Sequence, residues 1–238
     1  MLINIGLICF AAGFIQGTAG FGFGMSSMAM LPYVVPYRIA AVISSLAAAA
    51  NGVFTAAGNR KAIRFRLVVL PTLLSMGCSS FGVALLMISD ERIIRRALGA
   101  FLIVLAVYFF MATKKKMVIR PTFTAQLLVG VLTGLAAGMF NIGGPFMALY
   151  LLAATDESEE YKRSLSFNFA LTSGWAALTH LFYGNYGNGN WKLAVIGVAG
   201  GVAGTFFAYR FFGHLSKKIV SRLTYLLIMV MGMFMLMP

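Results

Sequence analysis

Two short stretches are where this chain could do chemistry: Gly20-Phe21-Gly22-Phe23-Gly24 and Asn141-Ile142-Gly143-Gly144-Pro145. Neither holds an ionisable group, so what they offer is backbone. Glycine lets the main chain turn sharply and approach a bound molecule closely. A helix that restarts after such a break presents unpaired N–H groups at the positive end of its dipole, which suits a small anion. Pro145 fits the first position of a restarting helix, where its missing N–H costs nothing. Neutral donors lie close by in sequence. Gln16 stands a turn before the first break, Ser26 and Ser27 follow it, and Asn141 opens the second. The helices beyond the breaks carry Ser44 and Asn51 in one case and Asn168 and Thr172 in the other. The candidate binding set is therefore Gln16, Gly22, Phe23, Gly24, Ser26, Ser27, Ser44, Asn51, Asn141, Gly143, Gly144, Asn168 and Thr172.

Plainer readings compete. Small residues at helical spacing let helices approach one another in a membrane, and that reading is favoured for Gly13, Gly17, Gly134 and Gly138. Serine and threonine hydroxyls often bond to their own helix. His180 is the one ionisable side chain well inside an apolar run, which makes it a candidate for carrying a coupling proton. Its place near the end of the run 164–183, beside Tyr183 and Tyr186, favours an interfacial histidine instead. The apolar runs contain no Asp or Glu, and no metal-ligand cluster, nucleophile–base pair or acidic dyad is visible. Cys9 and Cys78 lack metal or disulfide spacing. The expectation is a protein that is not an enzyme and takes no metal or cofactor.

The elements that must position these residues are membrane helices. Apolar residues make up 60% of the chain and charged residues only 11%, about half the charged share of soluble domains. Charge-free runs cover 1–37, 39–59, 67–89, 121–155, 164–191, 193–209 and 223–238, and roughly 20 apolar residues suffice to cross a bilayer. The formal charge of +13 sits in short stretches between these runs, the pattern of membrane topology rather than of nucleic-acid binding.

An internal repeat divides the chain. Gly13, Gly17, Gly20 and Gly22 match Gly134, Gly138, Asn141 and Gly143 at an offset of 121; Tyr37-Arg38 matches Tyr161-Lys162 at 124 and Leu67 matches Leu193 at 126. The repeats are 1–113 and 121–238, joined by a basic cytoplasmic linker, 114–120. Each opens with an over-long apolar run, 1–37 or 121–155. A single helix of 35 residues would extend about 52 Å, against a hydrocarbon core of roughly 30 Å. Broken helices, folded back as re-entrant hairpins, resolve the mismatch. With hairpins, 14 of the 19 basic residues lie in the cytoplasm and Arg38, Arg92, Arg95, Arg96 and Lys192 lie outside; with single crossings the bias disappears. Three full spans per repeat then invert one repeat against the other and leave both termini outside. The expected fold is an all-α integral membrane protein of two inverted four-segment repeats, each a broken hairpin followed by three transmembrane helices, in the cytoplasmic membrane. Such repeats place their site near midplane, where the broken helices meet.

The repeated signatures GFIQGTAGFGFG and GLAAGMFNIGGP, with small hydroxyl-bearing helices after them such as AAVISSLAAAANG, resemble the sulfite exporter TauE/SafE family, also called the 4-toluenesulfonate uptake permease family. The resemblance spans essentially the whole chain. It implies transport, export above all, of small sulfur anions such as sulfite or organosulfonates. Alternatives are a passive anion channel, or an uptake permease for other small organic anions. The partners expected are the lipid bilayer and the anionic substrate, with a homodimer compatible and no nucleic acid. Asn141 and Pro145 stand where the first repeat has Gly20 and Gly24, so the two half-sites differ in shape and donors.

Overall fold

The computed structural model describes residues 1–57, 60–112, 121–155, 157–187, 190–211 and 217–237; the linker 114–120 lies outside them. The described residues form ten α-helices: α1 (Leu2–Ala19), α2 (Phe23–Met30), α3 (Tyr37–Ala56), α4 (Phe65–Ile88), α5 (Glu91–Ala112), α6 (Phe123–Phe140), α7 (Gly144–Ala154), α8 (Ser158–Phe182), α9 (Asn190–Phe211) and α10 (Lys217–Leu236). Helices α1, α3, α4, α6 and α9 are long and apolar enough to cross a membrane. In α5 and α8 the charges crowd the opening turns, and apolar sequence follows.

Burial is arranged inside out relative to a soluble protein. Ile3, Phe81, Ile88 and Phe182 are more than half exposed, whereas Ser27, Ser44, Asn51, Ser75, Thr133 and Asn168 are fully buried. In water such an apolar exterior would aggregate. Against lipid it is the surface that costs least, and polar groups turn inward to find partners. This is a multi-pass membrane protein.

Glycines set the helix contacts. Helix α1 lies on α9 with Gly13 against Gly201 and Gly17 against Thr205 and Ala208; α6 lies on α4 with Gly130 against Pro71, Gly134 against Ser75 and Gly138 against Ser79 and Gly82. In both pairs the numbers rise together, so the helices run parallel. Helix α3 joins α9 in the same sense, through Ile43 at Gly197 and Asn51 at Thr205. Helix α8 joins α4 likewise, through Asn168 at Thr72 and Trp175 at Ser80. Across the middle α3 meets α8 antiparallel, with Gly52 against Ala170 and Gly174 against Ala49. Helices α1, α3 and α9 therefore run one way and α4, α6 and α8 the other. Exchanging the first five helices for the last five, in order, turns each of these packed pairs into another or into itself.

The packing reading of Gly13, Gly17, Gly134 and Gly138 matches these contacts. A methyl on Gly138 would collide with the Ser79 carbonyl oxygen, whereas one on Gly77 would meet nothing within 4 Å. Overpacking of this kind costs about 1–3 kcal/mol. Gly138→Ala is accordingly expected to lower the melting temperature of the detergent-purified protein, while Gly77→Ala leaves it unchanged or raises it slightly through helix propensity.

Glu159 and Glu160, which lie between apolar runs, form the first turn of α8. Glu159 pairs with Arg163 a turn later at 2.8 Å, and Glu160 reaches Arg64 at 2.6 Å. Acidic residues at a helix start, with a base at i+4, favour helix over loop.

Candidate functional site

Both long runs break where the glycines cluster. Helix α1 stops at Ala19; Gly20 takes a left-handed φ of 84° and returns its N–H to the Gln16 carbonyl at 2.7 Å. Gly22, at φ 111°, then turns the chain into α2. In the second run Asn141 does the work of Gly20, with φ 54° and its N–H on the Ala137 carbonyl at 2.8 Å. Asparagine is among the few residues that accept this conformation. Helices α2 and α7 begin at Phe23 and Gly144, the latter one residue before Pro145.

The two breaks touch. Gly24 lies so close to the Asn141 carbonyl that a methyl group there would overlap it. The Asn141 amide donates to the Ser44 hydroxyl at 2.6 Å, and that hydroxyl shares a second 2.6 Å hydrogen bond with Ser27. Ser27 in turn reaches the Gly24 carbonyl at 3.3 Å. This buried chain ties the α2 break, the α6–α7 break and α3 together.

Beside the contact is a cavity of about 30 Å³, by that measure room for a water or two. Its wall carries Gly22, Phe23, Gly24 and Met25 at the start of α2, and Asn141, Gly143, Gly144 and Pro145 at the start of α7. Helices α2 and α7 present their first turns to it, whose N–H groups lack intrahelical partners, while Gln16 and Ala137 reach it from the last turns of α1 and α6. No charged side chain lines it. The first turns of α2 and α7 each bring roughly half a positive charge to it. Three buried polar atoms on the wall have no hydrogen-bond partner among the described residues: Gln16 Nε2, Thr133 Oγ1 and Asn168 Oδ1. The Asn168 amide meets Thr72 and Thr172 hydroxyls at 3.0 and 3.3 Å. Since those hydroxyls can donate or accept, that amide can present either end to the cavity. A small anion would satisfy the orphaned donors without requiring a counter-charge.

The family model described as Sulfite exporter TauE/SafE matches residues 5–235, nearly the whole chain. The chain belongs to that family. TauE/SafE proteins are membrane transporters of sulfur anions. No curated protein and no solved structure matches the chain.

Of the residues proposed from sequence, this TauE/SafE chain brings Gln16, Gly22, Phe23, Gly24, Asn141, Gly143, Gly144, Asn168 and Thr172 to one cavity. Ser26, Ser27, Ser44 and Asn51 lie outside its wall. Ser27 and Ser44 instead hold Asn141 in place. Asn51 packs at Gly201, which its amide nitrogen and the Phe23 ring both crowd, and its carbonyl accepts from Thr205 at 2.8 Å. Buried Ser26 has no side-chain partner among the described residues. His180 is away from the cavity, buried at the end of α8 with Nδ1 3.1 Å from the Asn185 amide. The turn after α8 bonds back to it, the Asn185 N–H donating to the His180 carbonyl at 3.1 Å. Among the described residues no group of His, Cys, Asp and Glu could hold a metal. Sequence reasoning missed Thr133 on the wall, which has an alanine, Ala12, at the matching place in the first repeat. Ser173, next to Thr172, lines the cavity too.

Proposed function

We propose that this protein carries a small sulfur oxyanion, sulfite or an organosulfonate, outward across the cytoplasmic membrane by alternating access. The observation that carries the reading is the convergence of two helix N-termini and the orphaned Gln16 and Thr133 donors on one buried cavity without a charged side chain. Neutral donors hold an anion without the tight ion pair that would slow its release. The membrane potential, negative inside, drives an anion out by about 2.3 kcal/mol per charge per 100 mV.

In this reading the chain is two inverted repeats, each opening with a re-entrant hairpin. Helices α1 and α3 run in the same direction although α2 lies between them, as a hairpin with no net crossing requires. Matched helices α3 and α8 are antiparallel, as inversion requires. The positive-inside bias then puts both termini outside.

Purified protein in liposomes is expected to move sulfite or sulfoacetate saturably and with counter-flow, and acetate or sulfate more slowly. Robust transport of a cation or neutral solute with no sulfur-anion flux would refute the assignment. Conductance without counter-flow would make the protein a channel.

A further inference from the structure

We infer that Tyr37 and Tyr161 are the paired gates of this transporter, each closing one end of the path to the central cavity. The inference rests on the reading of that cavity as the transport site. The two residues match at the offset of 124 in the internal repeat, and the structure places them alike. Tyr37 opens α3 and is fully buried; Tyr161 lies on the first turns of α8 and is 8% exposed. Because α3 and α8 are antiparallel, the two rings sit towards opposite ends of the bundle.

Each ring closes on a helix break. The Tyr37 hydroxyl donates to the Met139 carbonyl at 3.0 Å, two residues before Asn141 on the cavity wall. The Tyr161 ring packs against Gly20, the counterpart of Asn141, and lies 3.7 Å from where a Gly20 side chain would begin. Gly22, two residues on, is on the cavity wall.

Each tyrosine also neighbours charged residues that line a larger cavity, an antechamber. The Tyr37 N–H donates to Glu91 at 2.9 Å, and Glu91 lines a cavity of about 710 Å³ with Arg92, Arg95 and Arg96. Tyr161 precedes Lys162 and Arg163, which line a cavity of about 390 Å³ with Glu159. Both antechambers carry more basic than acidic side chains, as an anion's approach and departure require. The central cavity, at about 30 Å³, shares no lining residue with either of these far larger ones, so the way to each is shut. The tyrosines are bulky side chains placed at a break, Tyr37 bonded through its N–H to an antechamber residue and Tyr161 next to one in sequence. Swinging one ring while the other stays in place opens the site to one side only, which is what alternating access needs.

The test places a cysteine on the cavity wall, Ser173→Cys, in a background carrying Cys9→Ala and Cys78→Ala. An impermeant thiol reagent is then added to right-side-out or inside-out vesicles. Tyr37→Ala is expected to speed labelling at least about tenfold from the Arg92 face and not from the other; Tyr161→Ala is expected to do the reverse, each acting by population shift. Tyr37→Phe keeps the ring and loses one net hydrogen bond, so it should speed labelling about fivefold from the Arg92 face. It decides the matter if the alanine variants do not insert. Equal acceleration from both faces, or unchanged labelling in Tyr37→Phe, would overturn the gates. Labelling is independent of substrate, so one-sided labelling without sulfur-anion flux would refute the transported species and leave the gates standing.

Discussion

Gly24→Ala should abolish transport while leaving most helices able to insert. The added methyl would overlap the backbone carbonyl of Asn141, and backbone has no rotamer by which to move aside. Neither partner is free to shift. Asn141 is held by its N–H on Ala137 at 2.8 Å and its amide on Ser44 at 2.6 Å. Gly24 is held through its carbonyl by Ser27, which is bonded to the same Ser44 hydroxyl. Relief therefore requires the start of α2 to move away from α7, and those two starts supply the cavity's N–H groups. Overpacking costs about 1–3 kcal/mol of stability, which a membrane bundle can survive. Function is more exposed, because a misplacement of about 1 Å in a preorganised site costs on the order of 100-fold. Liposome flux at or below about one hundredth of wild type, with a monodisperse detergent-purified protein, is the expected result. Wild-type flux would mean that the two breaks need not touch.

The contrast with Gly138→Ala separates the two uses of glycine in this chain. Both positions are close to backbone oxygens. At Gly138 the neighbour is the packed helix α4, so the change should appear in the melting temperature. At Gly24 the neighbour is the facing half of the site, so the change should appear in flux.

The broken helices were legible in the sequence because a charge-free run longer than the membrane must stop somewhere, and only one glycine cluster in each run allows it. Asn141 was legible as a half-site residue because it takes the place of Gly20, and the left-handed φ at both positions explains why those two residue types occur there. The glycines facing other helices were legible from spacing alone. Hydroxyls were not. Thr18, Ser75 and Thr179 all bond carbonyls of their own helices, whereas the Thr133 hydroxyl has no partner among the described residues and Thr133 lines the cavity. Nothing local distinguishes it from the others, since its role depends on which face α6 turns toward α7. Ser44 and Asn51 were placed at the site because they follow the first break on a polar face. The structure puts both off the cavity wall, Ser44 supporting Asn141 and Asn51 bonded to Thr205. Sequence spacing gives the face of a helix but not the depth at which a neighbour intervenes.

That layering makes Asn141 the residue whose substitutions should read out the site most directly. Its backbone and its side chain have separate duties, and two variants divide them. Asn141→Gly keeps the left-handed turn, as Gly20 does in the first repeat, and removes the amide. Asn141→Ala removes the amide and also forces an L-residue side chain into a conformation that costs it roughly 1–2 kcal/mol. One amide hydrogen is committed to Ser44, which leaves the other free to reach an anion in the cavity. A hydrogen bond to a charged group is worth about 1.5–3 kcal/mol, so its loss weakens binding roughly 10- to 150-fold. Asn141→Gly is therefore expected to raise the half-saturation concentration for the anion by that factor with thermal stability little changed, because the Ser27–Ser44 bond remains. Asn141→Ala should show the same affinity loss together with a lower melting temperature. Wild-type affinity in Asn141→Gly would restrict Asn141 to its backbone role and leave anion recognition to the helix N-termini, Gln16 and Thr133.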